Sequence, residues 1–505
     1  MSIYNSSADI AKQQLDEISP TMCFAKWAQV SMHFTNGMTH SCYHPPLHKM
    51  DLEEVKLNPS ALHNTKQKKF ERKLMLEGQR PQGCSYCWKI EDVGGRSDRI
   101  YRSGEYWAQN AKEDIALAGS DGDIVPRYLE VNFNQACNFK CMYCSPHLST
   151  AWEEEVKQLG PFKISMHDKS IVLHNDLDPL TEVGLMPLKQ KQNQNTYLEA
   201  FWKWWPKLYR KLEVFRITGG EPLMDINLYK ILDYIYENPN SWLELSITSN
   251  LCPPKPELFL RFLDKLKKLE EIKIWEDKER FNPGSGNHWY VNMPLKNFAL
   301  FVSIDSVGDQ AEYIRTGLNF DVLENNLYKF LNETMNTTVT FINTFNALSV
   351  PRITDFMGWV LELRRTYSKT NQGTKSIKIH DINFNHPDHN VHPRQKIWFD
   401  IPLLRKPNWQ AIQILPKEFD IYLIEAIEFM KANQDVSDFA GFYDFEIAKM
   451  ERNLKIMQER NMSEHELNTN RKNFYHFFEQ FDNRRGTNFA QTFPEMEEFY
   501  KNCKG

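Results

Sequence analysis

The stretch Asn134-Gln-Ala-Cys137-Asn-Phe-Lys-Cys141-Met-Tyr-Cys144-Ser145 places three cysteines on one short loop, in the pattern C-x3-C-x2-C. Three thiolates can hold three irons of a [4Fe–4S] cluster and leave the fourth iron without a protein ligand, whereas an electron-transfer cluster normally takes four cysteines. Zinc motifs are mostly paired C-x2-C units. The spacing therefore favours an iron–sulfur cluster with one open iron over a zinc site or unrelated buried thiols.

The segments around this loop predict a parallel α/β sheet. Residues 128–133 alternate like a strand, so the cysteine loop should follow the C-terminal end of that strand. Four further segments have strand patterns: 212–218, 243–250, 298–305 and 338–343. Helical patterns such as 256–269 lie between them, and this alternation from about residue 128 to 390 is typical of a parallel sheet. The apolar run 298–305 predicts a strand that is buried on both faces.

A second motif, Gly219-Gly-Glu-Pro222, follows the predicted strand 212–218. Paired glycines let a backbone approach a ligand closely and expose its amides and carbonyls. Such a turn alone is a weak functional signal. Downstream of a C-x3-C-x2-C loop and directly after a strand, it is a strong one.

The two motifs together resemble the radical S-adenosylmethionine (SAM) superfamily, whose signature is this cysteine spacing with an aromatic residue, here Tyr143, before the last cysteine. The resemblance implies a partial (β/α)6 barrel in which a [4Fe–4S] cluster on Cys137, Cys141 and Cys144 binds SAM at the C-terminal ends of the strands. It also implies the following SAM-contacting residues: Tyr143, Gly219, Gly220, Glu221, Pro222, Ser249, Asn250, Ser303, Asp305, Arg315 and Asn343.

The resemblance further implies roles within this set. The Gly-Gly-Glu-Pro edge would bind the SAM amino group, and Arg315 would pair with the SAM carboxylate, which suits a planar bidentate guanidinium. Asn343 would lie near the adenine, and the ribose or its surroundings would be faced by Ser249, Asn250, Ser303 and Asp305. The implied activity is that of an oxidoreductase or transferase. One electron from a flavodoxin- or ferredoxin-like donor cleaves SAM to a 5′-deoxyadenosyl radical, which abstracts hydrogen from a substrate.

A second set of cysteines precedes the first predicted barrel strand. Cys23 and Cys42 flank two strand-like runs within residues 28–42, which Asn36-Gly37 joins. Asn-Gly between strand-like runs is a strong hairpin signal. The two cysteines can therefore meet near the open end of the hairpin.

The second set is completed by Cys84-Ser-Tyr-Cys87, a C-x2-C knuckle. A helical pattern over residues 60–77, closed by Gly78 as a C-cap, precedes it. Four thiolates can ligate zinc or a full [4Fe–4S] cluster, and the spacing leaves both open.

These four cysteines resemble the twitch and SPASM auxiliary-cluster domains of radical SAM enzymes, which more often follow the barrel. The reversed order, with Gly94-Gly-Arg-Ser-Asp-Arg99 after the knuckle, is similar to radical SAM proteins of a phage-like type, which would place the protein in a host cytoplasm. Auxiliary clusters are common in maturases, so the resemblance implies a peptide or protein substrate. Radical SAM modification of a nucleotide, tRNA base or small metabolite stays open, as does a catalytically silent iron–sulfur binding protein.

Length and composition bound the remaining possibilities. The chain has 505 residues, which is too many for one hydrophobic core. Its net charge is −5, so it lacks the basic field of nucleic-acid binders, and a large polyanionic substrate is disfavoured. We read no signal peptide and no membrane span in the sequence, and we predict a cytoplasmic protein without a membrane partner. Nine cysteines in such a chain indicate metal ligands or free thiols.

We expect three regions along the chain: an auxiliary-cluster domain (1–125), a radical SAM partial barrel (126–400) with an insertion at about 146–209, and a C-terminal helical region (401–505). The aromatic residues 197–206 predict packing against the barrel, with a substrate groove as the alternative. Cys252 is an inert buried thiol or a hydrogen-atom donor at the barrel mouth.

Overall fold

The computed structural model describes residues 3–164, 195–271, 274–275, 291–292, 295–334, 337–369, 395–404, 406–434 and 440–504. Residues 165–194, which form much of the expected insertion, lie outside the described residues. The strands are β1 (Gln29–His33), β2 (Met38–His40), β3 (His48–Lys49), β4 (Tyr128–Asn132), β5 (Lys140–Cys141), β6 (Val214–Thr218), β7 (Asn240–Ser249), β8 (Ile274–Trp275), β9 (Val291–Asn292), β10 (Leu295–Ser303), β11 (Arg315–Thr316), β12 (Thr337–Ile342) and β13 (Ile397–Asp400).

Within the described residues, nine strands form one sheet in the order β13-β12-β10-β7-β6-β4-β1-β2-β3. The strands from β13 to β1 run parallel, and β2 and β3 continue the sheet antiparallel. The predicted parallel sheet is therefore confirmed, and its five predicted strands are β4, β6, β7, β10 and β12. Two short antiparallel pairs, β5 with β11 and β8 with β9, lie outside this sheet.

Helices connect the parallel strands in chain order. Between β4 and β13 they are Thr150–Leu159, Thr196–Tyr209, Ile226–Glu237, Pro256–Glu271, Gly308–Ile314, Phe320–Glu333 and Ile353–Lys369. Before β4 they are Ile3–Ile18, Phe24–Ala28, Leu52–Leu57, Lys66–Leu76, Ser85–Asp92, Asp98–Gly104, Tyr106–Gln109 and Lys112–Ala118. After β13 they are Asp420–Ala432, Asp444–Glu459, Glu464–Arg485, Phe489–Thr492 and Glu497–Asn502.

The two faces of the central strands differ in burial. One face is apolar and fully buried, and includes Leu129, Val131, Phe215, Ile217, Ile247, Leu300 and Val302. Several alternating residues of the other face are partly exposed, among them Glu130, Arg216, Thr248, Phe301 and Ser303. The expectation that β10 is buried on both faces is therefore wrong. A parallel sheet is normally covered on both sides, so the half-exposed face leaves room for another group to pack there.

The N-terminal hairpin belongs to the main sheet. β1 and β2 pair antiparallel with Met32 opposite Thr39, and Gly37 adopts φ 70° in the turn, so the hairpin prediction is confirmed. β1 also runs parallel to β4, with Ser31 opposite Glu130. The segments that flank the hairpin have their own apolar core, in which Trp27 and Trp107 are fully buried.

The helix predicted over residues 60–77 is interrupted. A 3-10 turn, Pro59–Leu62, comes first, and the α-helix is Lys66–Leu76 with Thr65 as its N-cap. The reason is a tertiary contact of Asn64, whose Nδ2 donates to Ile124 O at 3.0 Å and whose Oδ1 accepts from the Ile124 amide at 3.1 Å. These bonds hold Asn64 outside the helix, which begins after its N-cap Thr65, whose Oγ1 accepts from the Lys68 amide at 3.2 Å.

The C-terminal helices pack on the helix Gly308–Ile314. Tyr313 donates to Asp482 Oδ1 at 2.8 Å, and its ring centroid lies 4.9 Å from that of Phe481. Arg485 forms an ion pair with Glu155 at 3.2 Å. The C-terminal helical region is therefore packed against both the connection after β10 and the segment after the cysteine loop.

The aromatic segment 197–206 packs into the core, as predicted. Tyr197, Phe201 and Trp205 are buried, and Trp205 lies 5.3 Å from Phe215 of β6 between ring centroids. Among the described residues, no helix has the length and apolar character that crossing a membrane requires.

Candidate functional site

The candidate residues follow the carboxyl ends of neighbouring strands. Cys137, Cys141 and Cys144 lie on the loop after β4, and the Gly-Gly-Glu-Pro turn follows β6. Further along the sheet the candidates are Ser249 and Asn250 at the end of β7, Ser303 and Asp305 at the end of β10, and Asn343 after β12. Because the carboxyl ends of parallel strands meet at one edge, the fold brings all of these segments together.

The cysteine loop is held by backbone pairing and by its own side chains. β5 pairs with β11 so that Cys141 is opposite Arg315, and Trp152 Nε1 donates to Cys141 O at 2.8 Å. The thiol of Cys137 interacts electrostatically with those of Cys141 and Cys144. Burial raises the pKa of Cys144 to about 12. Cys141 is buried and the other two cysteines are partly buried. Such thiols become thiolates when a cationic metal centre compensates the charge.

The Gly-Gly-Glu-Pro turn lies directly against the cysteine loop. The Gly220 amide donates to Asn134 O at 3.1 Å, and the Glu221 amide donates to Ala136 O at 2.6 Å. A Cβ on Gly220 would lie 2.3 Å from Ala136 O, and Gly219 adopts φ 123°. Both positions therefore require glycine, and the two sequence motifs form one continuous backbone surface.

Glu221 is 1% exposed and lies at the centre of this edge. Ser249 Oγ donates to Oε1 at 2.7 Å, and the Asn250 amide donates to Oε2 at 2.7 Å. The Leu223 amide also donates to Oε1, at 3.0 Å. Burial raises the pKa of Glu221 to about 7. A carboxylate has about four acceptor positions, so these three donors leave room for one further cationic donor.

Asp305, Arg315 and Tyr143 form a buried network beside Cys141. Arg315 Nε lies 2.8 Å from Asp305 Oδ2, close enough for an ion pair although poorly directed for a hydrogen bond. Tyr143 Oη donates to Asp305 Oδ2 at 2.8 Å, and Arg315 Nη1 donates to Cys141 Sγ at 3.6 Å. The Thr344 amide donates to Asp305 Oδ1 at 2.8 Å. The network therefore links the ends of β10 and β12 to the cysteine loop.

Two buried acceptors at the same edge lack partners within the described part of the chain. Asn343 is fully buried and donates through Nδ2 to Asp305 O at 2.9 Å, while its Oδ1 accepts no hydrogen bond there. The Oδ1 of Asn132, at the end of β4, is also buried and accepts no hydrogen bond from the described residues. Unsatisfied buried acceptors cost free energy, so this edge is suited to a ligand that brings hydrogen-bond donors.

Asn138 is a site residue that the sequence analysis did not single out. Its Nδ2 donates to Cys252 O at 2.8 Å, and its Oδ1 accepts from Asn250 Nδ2 at 3.1 Å. The sequence feature that could have identified Asn138 is its position inside the cysteine motif. Cys252 itself is 5% exposed, and its thiol lies 3.6 Å from Asn319 O.

The second cysteine set lines one cavity of the N-terminal region. Its wall contains Cys23, Cys42, Cys84 and Cys87. Burial raises the pKa of Cys42 and of Cys87 to about 12. The hairpin and the C-x2-C knuckle thus bring the four thiols to a common space, although Cys42 and Cys84 are far apart in the sequence.

Cations border this cavity. Lys26, Arg99 and Arg102 are part of its wall, and Lys26 forms a buried ion pair with Glu71. Burial by itself lowers the pKa of Lys26, but the nearby Cys84 and the Glu71 carboxylate outweigh it and raise the pKa. Positive charges next to four thiols suit a site that carries thiolates and hence a net negative charge.

The side chains of the cysteine sets do not converge on one metal position in the described part of the chain. Among the described residues, no group of three or more His, Cys, Asp or Glu side chains converges closely enough to hold one metal ion. A zinc ion needs its ligands within about 2.0–2.3 Å of one point, whereas each cysteine of a [4Fe–4S] cluster binds a different iron. The four thiols that line the N-terminal cavity are of the residue type that such a cluster uses.

The fold and this edge define a mixed α/β protein with a large parallel sheet and a cysteine-rich site at the carboxyl ends of its strands. No protein-family model matches the chain, and no curated protein matches it. Among solved structures, Streptococcus suis SuiB, determined with the precursor peptide SuiA bound, is similar at 13% sequence identity and a TM-score of 0.25. The similarity covers 67% of this chain and 60% of the SuiB chain. At that TM-score it carries no argument about fold or function.

Proposed function

We propose that the chain is a radical SAM enzyme. The observation that carries this proposal is the hydrogen bond from the Glu221 amide to Ala136 O, which joins the Gly-Gly-Glu-Pro turn to the C-x3-C-x2-C loop. The two motifs come from different βα connections, yet they form one surface. Cys137, Cys141 and Cys144 would hold three irons of a [4Fe–4S] cluster next to that surface and leave the fourth iron for SAM.

The order of the strands supports the partial (β/α)6 barrel. β4, β6, β7, β10, β12 and β13 are neighbours in chain order, each joined to the next by a helical connection. Parallel crossovers are right-handed, so successive crossovers in one direction place their helices on the same face. A sheet that is covered on one face in this way curls around the other. In this protein that other face is the half-exposed one.

The residues at the edge would bind and orient SAM. The remaining acceptor position on Glu221 and the exposed backbone of Gly219 would receive the amino group, and Asn343 Oδ1 would accept from the adenine amine. Ser249, which holds the Glu221 carboxylate, would position it, and Asn250 and Ser303 would border the ribose. When bound, the cluster would supply one electron that cleaves SAM to the 5′-deoxyadenosyl radical.

The half-exposed face of the sheet supports a substrate site. Glu130, Arg216 and Phe301 line this face, with the Arg216 guanidinium 4.8 Å from the Phe301 ring centroid. Tyr43 follows Cys42 directly and its hydroxyl accepts from Arg216 Nη1 at 3.1 Å. The face therefore runs between the two cysteine sets. A substrate lying on it would reach the three-cysteine loop while it is close to the four-cysteine cavity.

We assign the N-terminal region to a twitch- or SPASM-like domain with an auxiliary [4Fe–4S] cluster, and we propose a peptide or protein as the substrate. The four-cysteine cavity, its bordering cations and the separate apolar core around Trp27 support this assignment. A flavodoxin- or ferredoxin-like protein would supply the electron. The domain division at about residues 125 and 400 is part of the same proposal.

The test is anaerobic reconstitution of the full chain with iron and sulfide, followed by dithionite and SAM. We expect release of 5′-deoxyadenosine, and we expect none from the Cys137→Ala/Cys141→Ala/Cys144→Ala variant. Full iron loading of the wild-type chain without 5′-deoxyadenosine would contradict the proposed enzyme and favour an iron–sulfur binding protein.

A further inference from the structure

Arg315 is surrounded by groups of this chain that already use most of its donors. It is 5% exposed, and Asp305 beside it is fully buried. An arginine has five N–H donors in a rigid plane. The role of Arg315 therefore depends on how many of those donors remain for a ligand.

Both hydrogens of Nη2 are engaged, one by Tyr143 Oη and one by Asp305 Oδ1 at 3.3 Å. Nε faces Asp305 Oδ2 at 2.8 Å. One hydrogen of Nη1 points to Cys141 Sγ at 3.6 Å. Within the described part of the chain, the hydrogens without a hydrogen bond are that of Nε and the second one of Nη1. These two are not adjacent, whereas a bidentate pair with a carboxylate requires two adjacent donors.

We propose that Arg315 is a positioning residue of the three-cysteine loop, anchored by Asp305 and hydrogen-bonded to Cys141 Sγ, and that it is not the bidentate partner of the SAM carboxylate. This inference rests on the proposed function, because Cys141 must be a cluster ligand. It also replaces the role that the family resemblance implies for Arg315.

The backbone supports the same role. Arg315 is opposite Cys141 in the β5–β11 pair, and the Met142 amide donates to Ile314 O at 2.9 Å. The guanidinium of Arg315 thus contacts β5, the strand with which the backbone of Arg315 pairs. Asp305 approaches from the end of β10 and holds the guanidinium from the far side.

A hydrogen bond to a ligating sulfur has a defined electrochemical effect. Reduction of the cluster adds negative charge, part of which resides on the cysteine sulfurs, and an N–H donor stabilises that charge. Hydrogen bonds to the sulfurs are among the factors that set cluster potentials. Removing the Arg315 donor should therefore make the three-cysteine cluster harder to reduce.

The experiment compares the reconstituted full chain with the Arg315→Gln variant. The midpoint potential is measured anaerobically without SAM, by a redox titration of the EPR signal that disappears in the Cys137→Ala/Cys141→Ala/Cys144→Ala variant. SAM affinity is measured separately by anaerobic equilibrium dialysis. We expect a more negative midpoint potential and a SAM dissociation constant that changes less than about tenfold, the lower limit for losing a charge-assisted pair.

Two further variants keep the test decisive. Arg315→Gln leaves Asp305 as an uncompensated buried charge, so Arg315→Gln/Asp305→Asn, which removes both charges, is measured if the single variant does not fold. Arg352→Gln is the matched control, because Arg352 is a partly exposed arginine paired with Asp309 and Asp355. Its midpoint potential should equal that of the wild type.

An unchanged midpoint potential in the Arg315 variants would overturn the proposal, and so would a tenfold or larger loss of SAM affinity. A wild-type chain that holds the cluster but binds no SAM would instead contradict the proposed function, while the potential would still decide the role of Arg315. A wild-type chain without any cluster would contradict both.

Discussion

The amide of Glu221 and the carbonyl of Ala136 are 2.6 Å apart, and this hydrogen bond ties the turn after β6 to the loop after β4. The neighbouring glycine makes the contact possible, because no side chain fits between the two backbones at Gly220. The two motifs are therefore coupled mechanically. Disturbing one of them should displace the other.

Replacing Gly220 with alanine should damage the cysteine loop without removing a ligand. The new Cβ would lie 2.3 Å from Ala136 O, so the loop or the turn must move. We expect a loss of about 1–3 kcal/mol in the free energy of unfolding, as for other overpacked sites. We also expect less iron per chain after reconstitution, measured by a colorimetric iron assay.

Gly358→Ala is the matched control for that substitution. Gly358 lies in the helix Ile353–Lys369, and a Cβ there would meet no atom within 4 Å. Alanine is favoured over glycine in a helix interior by about 0.5–1 kcal/mol, so this variant should be slightly more stable with normal iron content. Equal behaviour of the two variants would contradict the close approach at Gly220.

Glu221 should make the stability of the protein depend on pH in a known direction. Burial raises its pKa to about 7 in the folded state, from 4.5 in the unfolded chain. Between these values the folded state binds more protons than the unfolded state, so this group lowers the free energy of unfolding as pH rises through the window. The full difference is about 3 kcal/mol and is reached above pH 7.

Urea unfolding at several pH values should show this effect as a difference between the wild type and Glu221→Gln. The glutamine has no proton to release, so the variant should gain relative stability as pH rises from about 4.5 to 7. Ser249→Ala keeps the carboxylate but removes a hydrogen bond that lowers the Glu221 pKa, so its loss of stability with rising pH should extend to higher pH than in the wild type. Parallel pH profiles for wild type and Glu221→Gln would contradict the raised pKa.

Iron content should report two clusters. If both cysteine sets hold [4Fe–4S] clusters, the anaerobically purified chain should contain about eight irons. Cys137→Ala/Cys141→Ala/Cys144→Ala should leave about four and abolish SAM cleavage. Zinc in place of iron in that variant would identify the N-terminal site as a structural zinc knuckle, because four cysteines also suit zinc.

The N-terminal cluster should be needed for the substrate more than for radical formation. SAM cleavage requires the open-iron cluster and an external reductant, and Cys84 and Cys87 lie in a separate cavity. The Cys84→Ala/Cys87→Ala variant should still release 5′-deoxyadenosine with dithionite but should modify its substrate poorly. Loss of both activities with the first cluster intact would mean that the N-terminal cluster passes electrons to it. Retention of both activities would indicate that the N-terminal cysteine site has a structural role, and it would weaken the argument for a peptide substrate.

Several local features of this protein could be read from the sequence because they depend on neighbouring residues. The alternation in residues 128–133 and 338–343 predicted β4 and β12, and Asn36-Gly37 predicted the hairpin of β1 and β2. The spacing of Cys137, Cys141 and Cys144 also predicted a common loop. In each case the pattern arises within about ten residues, where backbone geometry leaves few alternatives.

Other features were decided only by the tertiary structure. The pairing of β1 with β4 joins the hairpin to the main sheet across a long stretch of helices. Asn64 interrupts a helical pattern because Ile124, far along the chain, offers its backbone groups. Neither partner can be recognised from the local sequence, since the intervening connections determine which groups meet.

The environment of Arg315 shows the same limit within the candidate site. The family resemblance implied that Arg315 pairs with the SAM carboxylate, but the fold places Asp305 and Cys141 around its guanidinium. The apolar run 298–305 also gave no sign that one face of β10 is partly exposed. Whether a face of a strand is buried depends on what packs against it. The sequence by itself determined five strands of the parallel sheet, the N-terminal hairpin and the cysteine motifs. Only packing decided which charges are paired and which sheet face stays open, because both depend on contacts between segments far apart in the chain.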